Sequence, residues 1–133
     1  MNSFREHILS SRRTGHIEFF IEDRSDDRVV SRMPITDGMR NPFGTVQAGA
    51  MLWLADVTAT VLAIGKTEIG EDGKGFPLAV DLHTTLLGNQ RQGELKAEAM
   101  LVRRGRRVIV VRTRVTGKEG RLLAEVTTTH VPA

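Results

Sequence analysis

The sequence has no cysteine and no tyrosine, and its 133 residues include one tryptophan, five phenylalanines and four prolines. Without cysteine it can form no disulfide bond, thiolate metal site or cysteine nucleophile, and it suits a reducing compartment. Residues 1–14 also lack an apolar run of the length that an export signal requires. We therefore expect a cytoplasmic protein.

An excess of one charge is also nearly absent, since 19 Lys and Arg stand against 16 Asp and Glu, a net charge of +3. Nucleic-acid-binding proteins usually combine a larger basic excess with aromatic side chains that stack on bases. We therefore expect no nucleic-acid partner. The four histidines lack the spacing of a metal site, so we also predict no metal: His7, His16, His83 and His130.

The length, with 40% apolar and 26% charged residues, indicates a single globular domain over residues 1–133. Residues 3–6 fit a helix capping box and predict a short helix. Residues 16–21 and 28–35 favour extended chain and predict a hairpin, with a polar turn between them at residues 23–27.

Residues 48–65 are apolar except for three positions, and their Ala and Leu content favours a helix: Asp56, Thr58 and Thr60. A helix that is apolar on all sides is buried. A membrane span is disfavoured, because an aspartate at its midpoint is costly in lipid. We therefore expect no membrane partner and a helix wrapped by a sheet.

Four extended segments follow, and the turns between them predict consecutive antiparallel hairpins, that is, a meander: residues 76–87, 94–103, 107–116 and 122–131. The predicted fold class is therefore α+β, with one antiparallel sheet of about six strands around one long helix.

Asp56 is the residue of the helix that most needs an explanation, because carboxylates are rarely buried unless they are paired. One interpretation is a structural aspartate bound to backbone or to an arginine. The other is a general base or nucleophile at the wall of a cleft. Thr60 lies four residues further, on the same face. Its hydroxyl either orients the carboxylate or an attacking water, or bonds back to the carbonyl of Asp56.

The loop before the helix ends at residues whose amides have no partner inside the helix and carry the positive end of its dipole. Such amides can polarise a carbonyl or hold an oxyanion. The segment 41–49 reads NPFGTVQAG. With the later aspartate it resembles the PaaI-like acyl-CoA thioesterases of the hotdog fold, through Asn41, Gly44, Gly49 and Asp56. The resemblance continues over residues 80–83 and 103–107.

The resemblance implies that Asp56 is the catalytic carboxylate, either general base or nucleophile. It implies that the Ala48 amide polarises the thioester carbonyl and that Asn41 positions the thioester or the water. Two positions depart from the family pattern. Gln47-Ala48-Gly49 stands where the family has His-Gly-Gly, and Ala79 replaces a common hydroxyl, which Thr60 could supply. The backbone donor at Ala48 survives the change, whereas Gln47 cannot titrate as histidine does.

Ala48 and Asp56 are eight residues apart on one helix, which separates them by about 12 Å along its axis. They cannot both contact one thioester carbonyl. If both act on the same carbonyl, the carboxylate comes from a second chain, so we expect a homodimer or a homotetramer built as a dimer of dimers.

Four arginines flank Gly105 at a predicted hairpin tip, and guanidinium groups match phosphate geometry: Arg103, Arg104, Arg106 and Arg107. They either bind the phosphates of coenzyme A or keep a solvated turn from aggregating. We favour phosphate contact for some of them.

The predicted function is hydrolysis of an acyl-CoA thioester to free acid and coenzyme A, with no cofactor other than the coenzyme A of the substrate. One alternative is a non-catalytic acyl-CoA binding module. The other is a hotdog dehydratase or hydratase, which needs a histidine such as His83 and a carboxylate facing one cavity.

Overall fold

The computed structural model describes residues 3–133. The short helix α1 precedes a two-stranded hairpin, a loop, the long helix α2 and four further strands. The bounds are α1 Ser3–Leu9, β1 Phe20–Arg24, β2 Arg28–Pro34, α2 Ala48–Ile64, β3 Pro77–Leu86, β4 Glu94–Arg104, β5 Ile109–Thr116 and β6 Leu122–Pro132. The element types and their order agree with the sequence prediction, and α2 begins at the predicted residue.

The six strands form one antiparallel sheet in the order β1-β2-β4-β5-β6-β3. The predicted meander is therefore wrong in part, since only β4, β5 and β6 are consecutive hairpins. Strand β3 pairs with β6 at one edge, and β2 pairs with β4. The seven residues 87–93 can span about 23 Å, whereas three strand spacings are about 14 Å. The connection can thus cross the end of the sheet instead of closing a hairpin.

The first strand is shifted relative to the prediction of residues 16–21. Phe19 lies just before the strand, and its ring packs edge-on against Trp53, with 5.2 Å between ring centroids. The polar residues Glu22 and Asp23, predicted near the turn, extend the strand instead. Arg32 on β2 holds Glu22 by an ion pair of 2.7 Å. Cross-strand pairing thus overrides the turn preference of acidic residues.

Helix α2 crosses the sheet and buries one face against it. The buried residues are mostly small or aliphatic, which allows close packing on the strands: Ala50, Met51, Leu54, Ala55, Thr58, Ala59, Leu62 and Ala63. The opposite face, which includes Trp53, Asp56 and Val57, is only half-buried. The predicted arrangement of a sheet wrapped around the long helix is confirmed, and in the single chain the sheet covers one face of that helix.

A chain of buried hydroxyls sets the position of α2 on β2. Thr58 donates its hydroxyl proton to the carbonyl of Leu54 at 2.6 Å. The hydroxyl of Ser31, 2.5 Å away, must then donate to Thr58. Because both hydroxyls are buried, sliding the helix would leave polar groups without partners, which costs about 1–3 kcal/mol for each group.

Within residues 3–133, neither helix is long and apolar enough to cross a membrane.

Candidate active site

A cavity of about 440 Å³ opens beside the half-buried face of α2. Asp56 and Thr60 are its polar side chains, and the rest of its lining is apolar: Phe19, Val57, Val61, Ile64, Phe76, Leu78 and Ala79. The two predicted residues therefore share a cavity wall, one helical turn apart. Strand β3 supplies the opposite wall.

The Asp56 carboxylate has no hydrogen bond and no ion pair with any other residue in the range 3–133. The interpretation as a structural aspartate, bonded to backbone or to an arginine, is therefore not what the structure shows. The Thr60 hydroxyl is likewise free of hydrogen bonds within the described chain, so it does not bond back to the Asp56 carbonyl. Both polar groups remain available to a molecule in the cavity.

The start of α2 presents the backbone donors that the sequence predicted. Gln47 is the N-cap residue in extended conformation, and its side chain donates to the Arg40 carbonyl at 3.2 Å instead of capping the helix. Ala48 and Gly49 are exposed. Their amides have no acceptor among the residues that the structure describes, as expected for the first turn of a helix.

Asn41 shapes the loop before the helix. Its side-chain oxygen accepts hydrogen bonds from the amides of Phe43 at 2.9 Å and Thr45 at 3.1 Å, and its side-chain nitrogen donates to the Thr45 hydroxyl at 2.9 Å. These bonds form a local turn. In the single chain the Asn41 amide is therefore engaged within its own loop, and a contact with thioester or water stays a prediction.

Two residues that the sequence analysis did not select hold this loop in place. Asn89 accepts a hydrogen bond from the Val46 amide at 3.0 Å and donates to the Val46 carbonyl at 2.8 Å. Arg91 donates to the Phe43 carbonyl at 2.7 Å. Asn89 lies 43 residues from Val46, and no local pattern reveals such a pairing.

The cavity beside Asp56 contains neither Ala48 nor any residue of the loop 41–47. The helix start and the carboxylate therefore lie at separate places in one chain, as their spacing along α2 predicted. A site that uses both groups needs a second copy of α2.

The four arginines near Gly105 do not form one uniform cluster. Arg104 donates two hydrogen bonds of 2.9 Å to the carbonyls of Leu62 and Ala63 at the end of α2. This is a side-chain cap of a helix C-terminus. Arg106 and Arg107 line a second cavity of about 240 Å³, and Arg103 is exposed. Phosphate contact stays a prediction, with Arg104 already engaged in the fold.

His83 and His130 differ in their exposure to solvent. His83 is exposed on β3 and does not line the Asp56 cavity, so it forms no pair with Asp56 facing one cavity. His130 is fully buried on β6. Burial lowers the pKa of His130, while a hydrogen bond to Pro77 and the charge of Asp56 oppose that shift. Across residues 3–133, no group of three His, Asp or Glu side chains is placed to hold a metal ion.

An antiparallel six-stranded sheet packed around one long helix, with a carboxylate in a cleft on that helix, defines a hotdog-fold protein. The model of the thioesterase superfamily matches residues 43–124. The chain belongs to the thioesterase superfamily.

A Deinococcus radiodurans protein named "Putative esterase" is 34% identical over 95 residues, which are 71% of this chain and 57% of that protein. The match thus spans little more than half the length of this curated relative. A mutant of a thioesterase from Staphylococcus aureus superposes with a TM-score of 0.79 at 22% identity, covering 85% of this chain and 91% of that chain. A hypothetical thioesterase from Streptococcus pneumoniae, solved with coenzyme A, gives a TM-score of 0.76 at 19% identity and covers 98% and 94% of the two chains.

Proposed function

We propose that this protein hydrolyses an acyl-CoA thioester at a site shared between two copies of the chain. The observation that carries the proposal is the Asp56 carboxylate, which stands without hydrogen bond or ion pair among residues 3–133 at the wall of an apolar cavity. A carboxylate in such a place can accept a proton from water or attack a carbonyl. The apolar lining suits an acyl chain.

In the general-base version, Asp56 takes a proton from water while the water oxygen bonds to the thioester carbonyl carbon. The C–S bond then breaks, and the coenzyme A thiolate leaves and receives that proton. In the nucleophile version, the carboxylate itself displaces the thiolate and forms a mixed anhydride, which water hydrolyses. Thr60 lies on the same wall, and its hydroxyl can orient the attacking group in either version.

The amides of Ala48 and Gly49 supply the donors for the developing oxyanion, because preorganised backbone N–H groups stabilise charge that forms in the transition state. In this proposal they come from the partner copy, since about 12 Å of helix separates them from Asp56 in one chain. Gln47 and Asn41 border the same helix start. Ala48 keeps its backbone donor despite its methyl group.

The surface available for a second copy is the half-buried face of α2 together with the free edge of β3. Strand β3 ends the sheet and is flanked by β6 on one side only. An edge strand with exposed aliphatic side chains readily pairs with another chain: Leu78, Val80, Leu82 and Leu86. Pairing of this surface gives a homodimer, and two such dimers give the homotetramer.

Coenzyme A recognition is assigned to the arginines at the β4–β5 turn. The pneumococcal neighbour was solved with coenzyme A, which supports a ligand of this chemical type. Arg103, Arg106 and Arg107 are exposed and can pair with phosphate oxygens. Arg104 has a different role, since its guanidinium donates hydrogen bonds to the last carbonyls of α2. Coenzyme A enters only as part of the substrate, without a further cofactor, and the cytoplasmic location stays a prediction.

The test is hydrolysis of a panel of acyl-CoA esters, monitored by thiol release, with Asp56→Asn and the control Asp26→Asn. Asp26 is an exposed aspartate in the turn between β1 and β2, outside the cavity and away from β3. We expect the Asp56 variant to lose at least about a hundredfold in kcat, the scale of general-base catalysis, and the Asp26 variant to match wild type. Hydrolysis that survives Asp56→Asn would contradict the proposal.

A non-catalytic acyl-CoA binding module is the second candidate, and Gln47 and Ala79 in place of the family's usual residues favour it. It predicts saturable binding of a non-hydrolysable acyl-CoA analogue with no thiol release from any ester. The dehydratase alternative has no comparable support, since His83 lies outside the Asp56 cavity.

A further inference from the structure

His130 is the one fully buried histidine among residues 3–133. Its Nε2 lies 2.8 Å from the Thr128 hydroxyl, and its Nδ1 lies 3.4 Å from the Pro77 carbonyl. Both ring nitrogens therefore have partners inside the protein.

These partners determine the tautomer. A carbonyl oxygen only accepts hydrogen bonds, so Nδ1 must carry the proton that points at Pro77. In the neutral ring Nε2 is then an acceptor, and the Thr128 hydroxyl donates to it. A protonated ring would need a second acceptor, and Thr128 would have to turn its proton away. Burial also lowers the pKa of His130, which keeps the ring neutral.

The Pro77 end of this bridge is the start of β3, the strand that forms the cavity wall opposite Asp56. Three residues next to Pro77 line that cavity: Phe76, Leu78 and Ala79. Ala79 is also the register partner of His130 across the β3–β6 pair. A change in the His130 ring therefore affects first the backbone at the start of β3, which carries these cavity-lining residues.

Asp56 is the charged group that acts on His130, and its carboxylate favours the protonated ring. The register partners on the neighbouring strands, Ala79 on β3 and Ile109 on β5, carry no charge. Coupling between two titrating groups is reciprocal. A proton on His130 would therefore add a favourable charge interaction with the Asp56 carboxylate.

We infer that His130 is a positioning residue of the Asp56 cavity, which in its neutral Nδ1–H form ties the start of β3 to β6 and leaves the Asp56 carboxylate without a cationic neighbour. The kinetic part of this inference rests on the proposed hydrolysis. The tautomer of His130 and its coupling to Asp56 do not depend on that hydrolysis.

The first test is NMR of the histidine ring nitrogens over a pH titration, in the full-length wild type and in Asp56→Asn. We expect the Nδ1–H tautomer for His130 in the wild type. Removing the carboxylate should shift the titration midpoint of His130 further down, whereas the control Asp26→Asn, in the turn between β1 and β2, should leave it in place. An Nε2–H tautomer, or the same midpoint in Asp56→Asn and wild type, would overturn the inference.

The second test is kinetic. His130→Asn keeps an N–H donor near the Nδ1 position, whereas His130→Phe keeps the ring volume and removes both polar contacts. We expect the Phe variant to lose about tenfold in kcat, the scale of a small displacement in a site, with little change in KM and a displaced acid limb of the pH profile. The Asn variant should recover part of kcat.

Thr128→Val removes only the hydroxyl that donates to Nε2, so it serves if His130→Phe does not fold, and it should also lower kcat. His16→Asn, at an exposed histidine that lies before β1, is the matched control and should behave as wild type. Unchanged kcat and pH profile in the Thr128 variant and in the folded His130 variants would overturn the inference. If wild type hydrolyses no thioester, the proposed function fails, and the NMR titration alone decides on His130.

Discussion

The side chain of Asn89 hydrogen-bonds both backbone groups of Val46. Its oxygen accepts from the Val46 N–H at 3.0 Å, and its nitrogen donates to the Val46 carbonyl at 2.8 Å. Val46 is fully buried, and α2 begins two residues later. The connection between β3 and β4 thereby holds the start of the helix. The sheet order makes this contact possible, because that connection crosses the end of the sheet instead of closing a hairpin.

Asn89→Ala should destabilise the fold by about 1–3 kcal/mol, because it leaves the carbonyl of the buried Val46 without its donor. The Val46 amide then keeps only its longer bond, of 3.3 Å, to the Gln90 carbonyl. The substitution should also lower kcat, since the loop that leads into the Ala48 amide loses its support. Urea unfolding and thiol release measure the two effects. Gln92→Ala, in the same connection, is the control. Equal stability of the two variants would show that the hydrogen bonds between Asn89 and Val46 contribute nothing to the stability of the fold.

Arg104 and its neighbours should respond differently to substitution. Arg104→Ala removes two hydrogen bonds to the last carbonyls of α2 and should cost about 1 kcal/mol of stability, a value reduced for the partial exposure of the guanidinium. Arg106→Ala should leave the urea midpoint unchanged. The opposite ranking would contradict the assignment of Arg104 to the helix end.

Replacement of the three other arginines together should raise KM for acyl-CoA about tenfold or more and leave KM for the corresponding pantetheine ester unchanged, since pantetheine lacks the nucleotide phosphates. The three residues are Arg103, Arg106 and Arg107. Equal increases for both esters would mean that the turn does not contact the nucleotide.

A shared site predicts that two inactive variants restore each other. Ala48→Pro removes only the amide at the first helical position, where proline is well tolerated, and Gln47 already has the extended conformation that precedes proline. Mixed and reassociated with Asp56→Asn, it should give heterodimers in which one site has both groups intact. An equimolar mixture should recover about a quarter of wild-type activity. Activity that stays at the sum of the two variants would contradict the shared site.

The lowered pKa of His130 predicts a decline of stability in mild acid. The unfolded chain protonates this histidine near pH 6.5, whereas burial makes the folded protein do so only at lower pH. Stability from this group is therefore complete above about pH 6.5 and decreases as the pH falls toward the folded pKa. Urea midpoints measured between pH 8 and 5 should fall less in His130→Asn than in wild type, with His16→Asn, at an exposed histidine before β1, as the control.

Local patterns in the sequence were sufficient for the main elements and for the position of Asp56 on the helix. The apolar run with Asp56 at its middle predicted α2 with its first residue correct, and the cavity beside Asp56 contains Thr60 as the helical spacing predicted. The shift of β1 was missed, because Glu22 is stabilised by Arg32 from the neighbouring strand. The role of Arg104 as a cap of the α2 C-terminus was also missed, because its acceptors are 41 and 42 residues away in the sequence.

The amino-acid sequence alone determined the helix, the strands and the position of the acid on the helix, because periodicity and capping act between near neighbours in the chain. Only the tertiary structure decided that β3 lies at the sheet edge beside β6, that one face of α2 is only half-buried and that His130 is buried against Pro77 at the start of β3. These features arise from contacts between segments far apart in sequence, whose free energy depends on how all six strands pack together.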